Sequence, residues 1–350
     1  MVKKILPFLT LILIVGFIVW LVYLKPAENL PVSEKIIQTE TVTENPTPEI
    51  TCKLSKSIFI PSWSIIKDSD FSQYDRLIYF GSENDNGFSD FVELNGSYEK
   101  WYTIKMIDTE SNIDVLNNPG QWGKISSDTA EIVEKYRLGG IALDLEISSL
   151  VLTDLTSKIN EFVKHLYTQF SDKKIKFSLV LYGDIFYRKR QYDLLTLNNY
   201  CDEVMIMAYD YHKTISESGP NFPLNKGSKY DYDFKQMLAD YMSIFPVNKL
   251  TVIYGMYGYD WTVSEKKQPL KPARALSLNE IRQQFLDNCQ WQNCIVKRDP
   301  DAAETEVNYV VSPTEFHIVW FEDEESVRQK TEYLQGKGIN SIGYWAEGYF

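Results

Sequence analysis

Eight short apolar runs, separated by stretches of helical periodicity, constrain this chain more than any other feature. They are SIFIPSW (57–63), RLIYFGS (76–82), WYTIKMID (101–108), GIALDLEI (140–147), KFSLVLYGD (176–184), EVMIMAYD (203–210), LTVIYGMYG (250–258) and NSIGYWAEG (340–348). Several are near-continuously apolar, as parallel strands covered on both faces must be. Between them, DLTSKINEFVKHLYTQF (154–170) sets Leu155, Ile159, Phe162, Val163, Leu166 and Phe170 on one helical stripe. SSDTAEIVEKYRLGG (126–140) opens on a capping serine and closes on glycine, and EESVRQKTEYLQGKG (324–338) closes the same way. Strand–helix alternation over eight strands predicts an α/β fold, a (β/α)8 TIM barrel; periodicity alone leaves an open doubly wound sheet as the alternative. The alternation breaks between 262 and 318, where a helical stretch, CQWQNC and two β-runs around SPTE predict a small α+β insertion after the seventh strand.

The N-terminus sets the compartment. Residues 5–24 carry no charge and are long enough to span the roughly 30 Å hydrocarbon core as one transmembrane helix. Lys3 and Lys4 precede them, which orients residues 1–4 to the cytoplasm. The reading is an uncleaved anchor in the cytoplasmic membrane; a cleaved signal peptide is the alternative, and either exports the remainder of the chain. Residues 25–51, rich in Pro, Thr and Glu, read as a flexible stalk. Residues 52–350 then form the barrel. The net charge of −12 argues against nucleic acid as a partner.

Cys289 and Cys294 bracket a short loop that an exported protein can close with a disulfide. Cys52 and Cys201 are buried thiols or a second bridge. The scattered His165, His212 and His317, with no CxxC pair, predict no structural metal site.

The fourth run carries two acids. Side chains two apart on a strand share a face, so Ala142, Asp144 and Glu146 face one way and Ile141, Leu143 and Leu145 the other. The two acidic Cα atoms are about 6.6 Å apart at roughly 3.3 Å per residue. In a low-dielectric interior such a pair resists double ionisation and one member keeps a proton near neutral pH, which suits glycosidic cleavage. The bland alternative is a strand end whose acids meet water or an arginine. Other run ends are aromatic: Trp63, Tyr209 beside Asp210, the stretch YGMYGYDW (254–261) with Tyr257 and Trp261, and Trp345. The run of the sixth strand places Met205, Met207 and Tyr209 on one face.

Together these segments resemble glycoside hydrolase family 18, the chitinase-like barrels, in order over roughly residues 57–348. The family's fourth-strand motif D-G-x-D-x-D-x-E matches here at Asp144 and Glu146; its M-x-Y-D matches Met207, Tyr209 and Asp210; its last-strand Trp matches Trp345. YGMYGYDW, HIVWFEDEESVRQK and INSIGYWAEG are similar to the bacterial branch that includes spore and cell-wall peptidoglycan hydrolases. The resemblance implies a retaining, substrate-assisted glycosidase with no cofactor. Glu146 would be the acid, Asp144 would orient the 2-acetamido group, Tyr209 would hold its oxygen, Asp210 would position the sugar and the acid, and Trp345 would floor the pocket. Met207, Tyr257, Trp261 and Trp63 would line the substrate site.

The match departs at three places. The motif's first two aspartates fall on Gly139 and Ala142, so Asp144 loses a lower partner, and the third run reads KMIDTES in place of S-x-G-G. The chain stops at Phe350, just past the eighth run, so the helix that follows in the family is expected to be missing, its position open or filled by other segments. The expected function is cleavage of β-1,4 bonds next to N-acetylated amino sugars in peptidoglycan or chitin-like polymer at the cell surface. A non-catalytic, lectin-like glycan-binding barrel is the alternative, favoured by the losses at Gly139 and Ala142.

Overall fold

The computed structural model describes residues 53–67, 69–147, 151 and 153–350. The transmembrane anchor, the stalk and Cys52 lie outside the described residues. Among those described, no helix is long and apolar enough to cross a membrane.

All eight runs become strands of one closed parallel barrel. In chain order the elements are β1 (Ser55–Pro61), β2 (Arg76–Phe80), α1 (Asn86–Glu93), β3 (Glu99–Met106), α2 (Thr109–Leu116), α3 (Trp122–Tyr136), β4 (Gly140–Leu145), α4 (Thr156–Asp172), β5 (Lys176–Tyr182), α5 (Leu194–Leu197), β6 (Glu203–Met207), α6 (Phe234–Met242) and β7 (Leu250–Gly255). An inserted segment comes next with β8 (Tyr257–Val263), β9 (Arg274–Ser277), α7 (Leu278–Ile281), β10 (Gln292–Arg298), β11 (Thr305–Ser312) and β12 (Glu315–Phe321), then α8 (Glu324–Gln335) and β13 (Ser341–Trp345). The barrel order is β1-β13-β7-β6-β5-β4-β3-β2, and β13 closes it on β1 with Ser55 opposite Ser341 and Ile58 opposite Tyr344. An open sheet is ruled out.

Period-two alternation sorts the strand residues. Ile141, Leu143 and Leu145 pack outward with the helices, while Ala142 packs inward with Phe59, Ile78, Trp101, Val180, Met205 and Ile253. Gly140 is needed there, because a Cβ would come within 2.8 Å of the Trp101 ring. At the N-terminal end of the barrel, Arg76 makes a two-pronged ion pair with Glu203 at 2.6 and 2.7 Å and lies 4.5 Å from the Trp101 ring.

Three expectations need correction. The insertion is larger than 262–318: it begins at Tyr257 and runs to Phe321 as a five-stranded antiparallel sheet, order β10-β11-β12-β8-β9. Only Met256 separates β7 from β8, so the apolar run shows no break where the chain leaves the barrel. Helix α3 starts at Trp122, not at the serines; Ser126 is buried within it and bonds back to the Gly123 carbonyl. Its end is closed by Arg137 in the left-handed region (φ 55°), not by glycine. The stripe on α4 is as expected, with Ile159, Phe162, Val163, Leu166 and Phe170 buried. Cys289 and Cys294 form a disulfide, and Cys201 is a buried free thiol. Past β13, Phe350 packs on Tyr344 with ring centroids 5.5 Å apart, beside a groove of about 540 Å³ on the outer side of β13 and α8.

The inserted sheet is tied down by a buried charge cluster. Lys330 of α8 is fully buried and donates to Glu304, just before β11, at 2.8 Å, and to Glu322, just after β12. Burial works against the Lys330 charge, but the two carboxylates more than offset it and raise its pKa. Replacing Lys330 by Met would strand two carboxylates in the interior. Lys330→Met is expected to lower unfolding free energy in urea by roughly 3–5 kcal/mol; a midpoint equal to the parent's would mean the cluster does not hold the two layers together.

Candidate active site

The C-terminal ends of the barrel strands open into a cavity of about 490 Å³, roofed on one side by the inserted sheet. Asp144, Glu146, Met207, Tyr209, Asp210, Tyr257, Trp345 and Trp63 all line it, so the structure gathers eight sequence-expected site residues in one place. Trp261 is the exception. It shares a face of β8 with Tyr257 and Tyr259, but it is fully buried and packs with Ala273, Ile318 and Trp320 inside the inserted sheet's own core. It cannot stack on a sugar.

Asp144 stands inside the barrel mouth at 5% exposure, above the apolar floor of Ala142, Val180 and Met205. Its Oδ1 is buried with no hydrogen-bond partner among the described residues. Burial, and then the charge of Glu146, push Asp144 well above the usual carboxylate range. Glu146 lies one residue past β4, its N–H donating to the Met106 carbonyl at 2.7 Å. Its Oε2 accepts the Tyr182 hydroxyl at 2.8 Å. Burial raises the Glu146 pKa, against the Tyr182 hydrogen bond and the Lys213 charge, which favour the ionised form. The pair therefore titrates together, and both members hold protons more tightly than an exposed acid.

Asp210 takes the left-handed region at φ 59°. Asn221 supports that turn: its Oδ1 accepts the Asp210 N–H at 2.8 Å and its Nδ2 donates to the Gly255 carbonyl at 3.1 Å. Glu304 holds Asn221 in turn, accepting the N–H groups of Asn221 and Phe222 at 2.6 and 2.8 Å. Asp210 Oδ1 accepts hydroxyls from Tyr257 and, at 2.7 Å, Tyr259 of the inserted sheet. Trp345 packs edge-on to Phe80 with centroids 4.7 Å apart and against Phe59 at 5.6 Å, which fixes its ring as a wall of the cavity.

Sequence reasoning missed Tyr182, Tyr259, Lys213, Asn221 and the salt bridges of Asp184. Tyr182 was findable, because it comes after Ser178 and Val180 on the inward face of β5 and ends the strand. Tyr259 is two residues from Tyr257 on the same strand face. Asn221 carries no local signal, since its partners come from three distant segments.

The sequence profile described as "Glycosyl hydrolases family 18" matches residues 75–349. The cortical fragment-lytic enzyme of Bacillus anthracis is 24% identical over 243 residues, covering 67% of this chain and 52% of that one. Human di-N-acetylchitobiase is 25% identical over 234 residues, 59% of this chain and 57% of that one. The chain spans about half the length of the curated relatives it matches. Among solved structures, the Bacillus cereus spore cortex-lytic enzyme SleL superposes with a TM-score of 0.67 at 19% identity, over 85% of this chain and 72% of that one.

The raised pair makes stability depend on pH. A group whose folded pKa lies above its unfolded value stabilises the fold fully below the unfolded value, and that contribution is lost as pH rises through the folded value. Asp144→Asn removes one of the two ionisations. Its unfolding free energy should match the parent in acid, below the unfolded carboxyl pKa, and exceed it increasingly as pH rises past neutral. Parallel pH–stability curves for the two proteins would show that Asp144 is not held protonated.

Proposed function

The chain belongs to family 18 of the glycosyl hydrolases, and from that premise we propose that it cleaves β-1,4 bonds next to N-acetylated amino sugars by substrate-assisted, retaining catalysis. The observation that carries the reading is the buried Asp144–Glu146 pair with an unpartnered acceptor, Asp144 Oδ1, at the edge of a cavity of sugar-binding size. In the pH range where the pair holds one proton, the more buried Asp144 holds it in the free protein. An acetamido N–H donated to Oδ1 stabilises the ionised form of Asp144 and moves the proton to Glu146.

Glu146 then transfers that proton to the leaving oxygen as the C1–O bond breaks, and the acetamido carbonyl oxygen bonds to C1. The resulting oxazolinium carries a positive charge that the Asp144 carboxylate offsets in a dry site. Tyr209 donates its hydroxyl to the acetamido oxygen and holds it in line; its own pKa is raised, so it stays a donor. Water then attacks C1, the C1–O bond to the acetamido group breaks, and the water's proton returns to Glu146. C1 is inverted twice, so configuration is retained. Asp210, fixed by Tyr257 and Tyr259, and Trp345 seat the sugar. The names of the relatives, a cortical fragment-lytic enzyme and a chitobiase, support a polymer of N-acetylated sugars. Residues 5–24 would tether the enzyme to the cytoplasmic membrane with the barrel outside, where such polymers lie.

The second reading, a binding-only barrel, is favoured by Ala142, which removes an acid from beneath Asp144. Reducing ends released from chito-oligosaccharides and purified peptidoglycan separate the two. The full chain should release them, Glu146→Gln should do so at least about 100-fold more slowly, and Tyr209→Phe should fall between. Glycan retained by the parent with no reducing ends released would leave only the binding reading.

A further inference from the structure

Most charged side chains around the cleft are matched to one another. Arg188 and Arg190 both donate to Asp184; Tyr257 and Tyr259 donate to Asp210; Ser277 caps its helix with Glu280. Two ammonium groups stand outside this matching, Lys213 in the cavity lining and Lys105 behind the lining residue Phe80. The side chains of Lys105 and Lys213 make no ion pair or hydrogen bond among the described residues. Scarcity of acids is not the reason, since the chain carries 48 Asp and Glu against 36 Lys and Arg.

Both lysines are placed by aromatic rings. Lys105 lies on β3 in register with Asp144, so it shares the inward face, and its Nζ is 5.2 Å from the centre of the Phe80 ring. Phe80 in turn packs against Trp345 and Trp63, the aromatic wall of the cleft. Lys213, after β6, lines the cavity with its Nζ 5.9 Å from the ring of Tyr182, the residue that bonds Glu146. One cation therefore stands on each side of the strand that carries the acids. A ring orients an ammonium group without neutralising it.

We propose that Lys105 and Lys213 are a carboxylate-reading pair, and that the cleft takes an acidic glycan in which the N-acetylated sugars carry carboxylates on a 3-O-substituent, in preference to a neutral chitin-like one. The proposal rests on the glycosidase reading of the same cleft. In a chain of net charge −12 an anionic polymer is repelled on average, so unpaired cations beside the cleft favour its docking there. The pair also links recognition to chemistry. Lys213 draws the Glu146 pKa down. A substrate carboxylate seated on Lys213 offsets that pull, so Glu146 keeps its proton to higher pH with an acidic glycan than with a neutral one.

Calorimetric binding to the full chain carrying Glu146→Gln tests this without turnover. The ligands are an alternating N-acetylglucosamine–N-acetylmuramic acid tetrasaccharide, its lactyl methyl ester, the same sugar with its lactyl groups amidated by an alanyl-glutamyl dipeptide, and N-acetylchitotetraose. At least one of the two acidic forms should bind about fivefold more tightly than the ester and the chito-oligomer. Which one does tells a ring-borne lactyl carboxylate from a peptide-borne one. The preference should fade with added salt. It should vanish when Lys105→Met and Lys213→Met are added and persist with Lys105→Arg and Lys213→Arg, all variants melting like the parent. Dissociation constants within twofold across the four ligands, no binding of any, or a preference that survives both Met substitutions would overturn the pair. If the preference holds but the parent hydrolyses none of the four, the glycosidase reading falls and the carboxylate site stands. Equal affinity with hydrolysis of all four removes the carboxylate site and leaves the glycosidase reading standing.

Discussion

Closure of β13 on β1 is the constraint on which the rest depends. Those strands lie at the two ends of the described chain, and their parallel pairing turns a sheet into a barrel with an inside. Without an inside, the alternation along β4 would separate two faces of similar polarity. With it, Ile141, Leu143 and Leu145 bury against helices while Ala142 and Asp144 enter a space already filled by Trp101, Val180 and Met205. Asp144 is thus desolvated by the same packing that stabilises the barrel. Its raised pKa follows first from that burial and then from the charge of Glu146 beside it.

The second layer of control comes from the inserted sheet. Lys330 binds Glu304; Glu304 holds the backbone of Asn221; Asn221 fixes the left-handed turn at Asp210; and Tyr257 and Tyr259 on β8 hold the Asp210 carboxylate. A fully buried cation on the last helix is in this way joined, by hydrogen bonds alone, to a carboxylate at the cavity. The links from Lys330 to Glu304 and from Glu304 to Asn221 are buried, where a missing partner costs most, and those at Asp210 are partly buried. The insertion is therefore part of the site's framework as well as its roof.

What was legible in the sequence was local. Eight apolar runs announce eight strands because strands covered on both faces must be apolar, and the spacing of Asp144 and Glu146 fixes their common face whatever surrounds them. What was illegible depended on tertiary contacts. Ser126 looks like a cap, but Trp122 packs on Phe162 and extends α3 by a turn, which buries the serine. Tyr257, Tyr259 and Trp261 obey one alternation, yet only the first two reach the cleft, because the sheet's own core covers the third. Asn221 is an ordinary loop residue until Glu304 and Asp210 arrive from elsewhere.

The alanine beneath Asp144 gives the site its particular electrostatics. An acid at position 142 could share a proton or hydrogen bond with Asp144 and draw it downward. Ala142 offers neither, so the Asp144 Oδ1 atom is left without a partner and the acidic system shrinks to two members. The balance on Glu146 then rests on the groups around its own carboxylate: burial and Asp210 raising its pKa, and Tyr182, Lys213 and Arg190 lowering it. Arg190 is committed to Asp184 and Tyr182 is a neutral donor. Lys213 is the lowering influence open to a ligand, because it alone of the three lines the cavity as a charge with no ion-paired carboxylate among the described residues. With alanine at 142, the groups that act on the Glu146 proton stand at the mouth of the barrel and not beneath it.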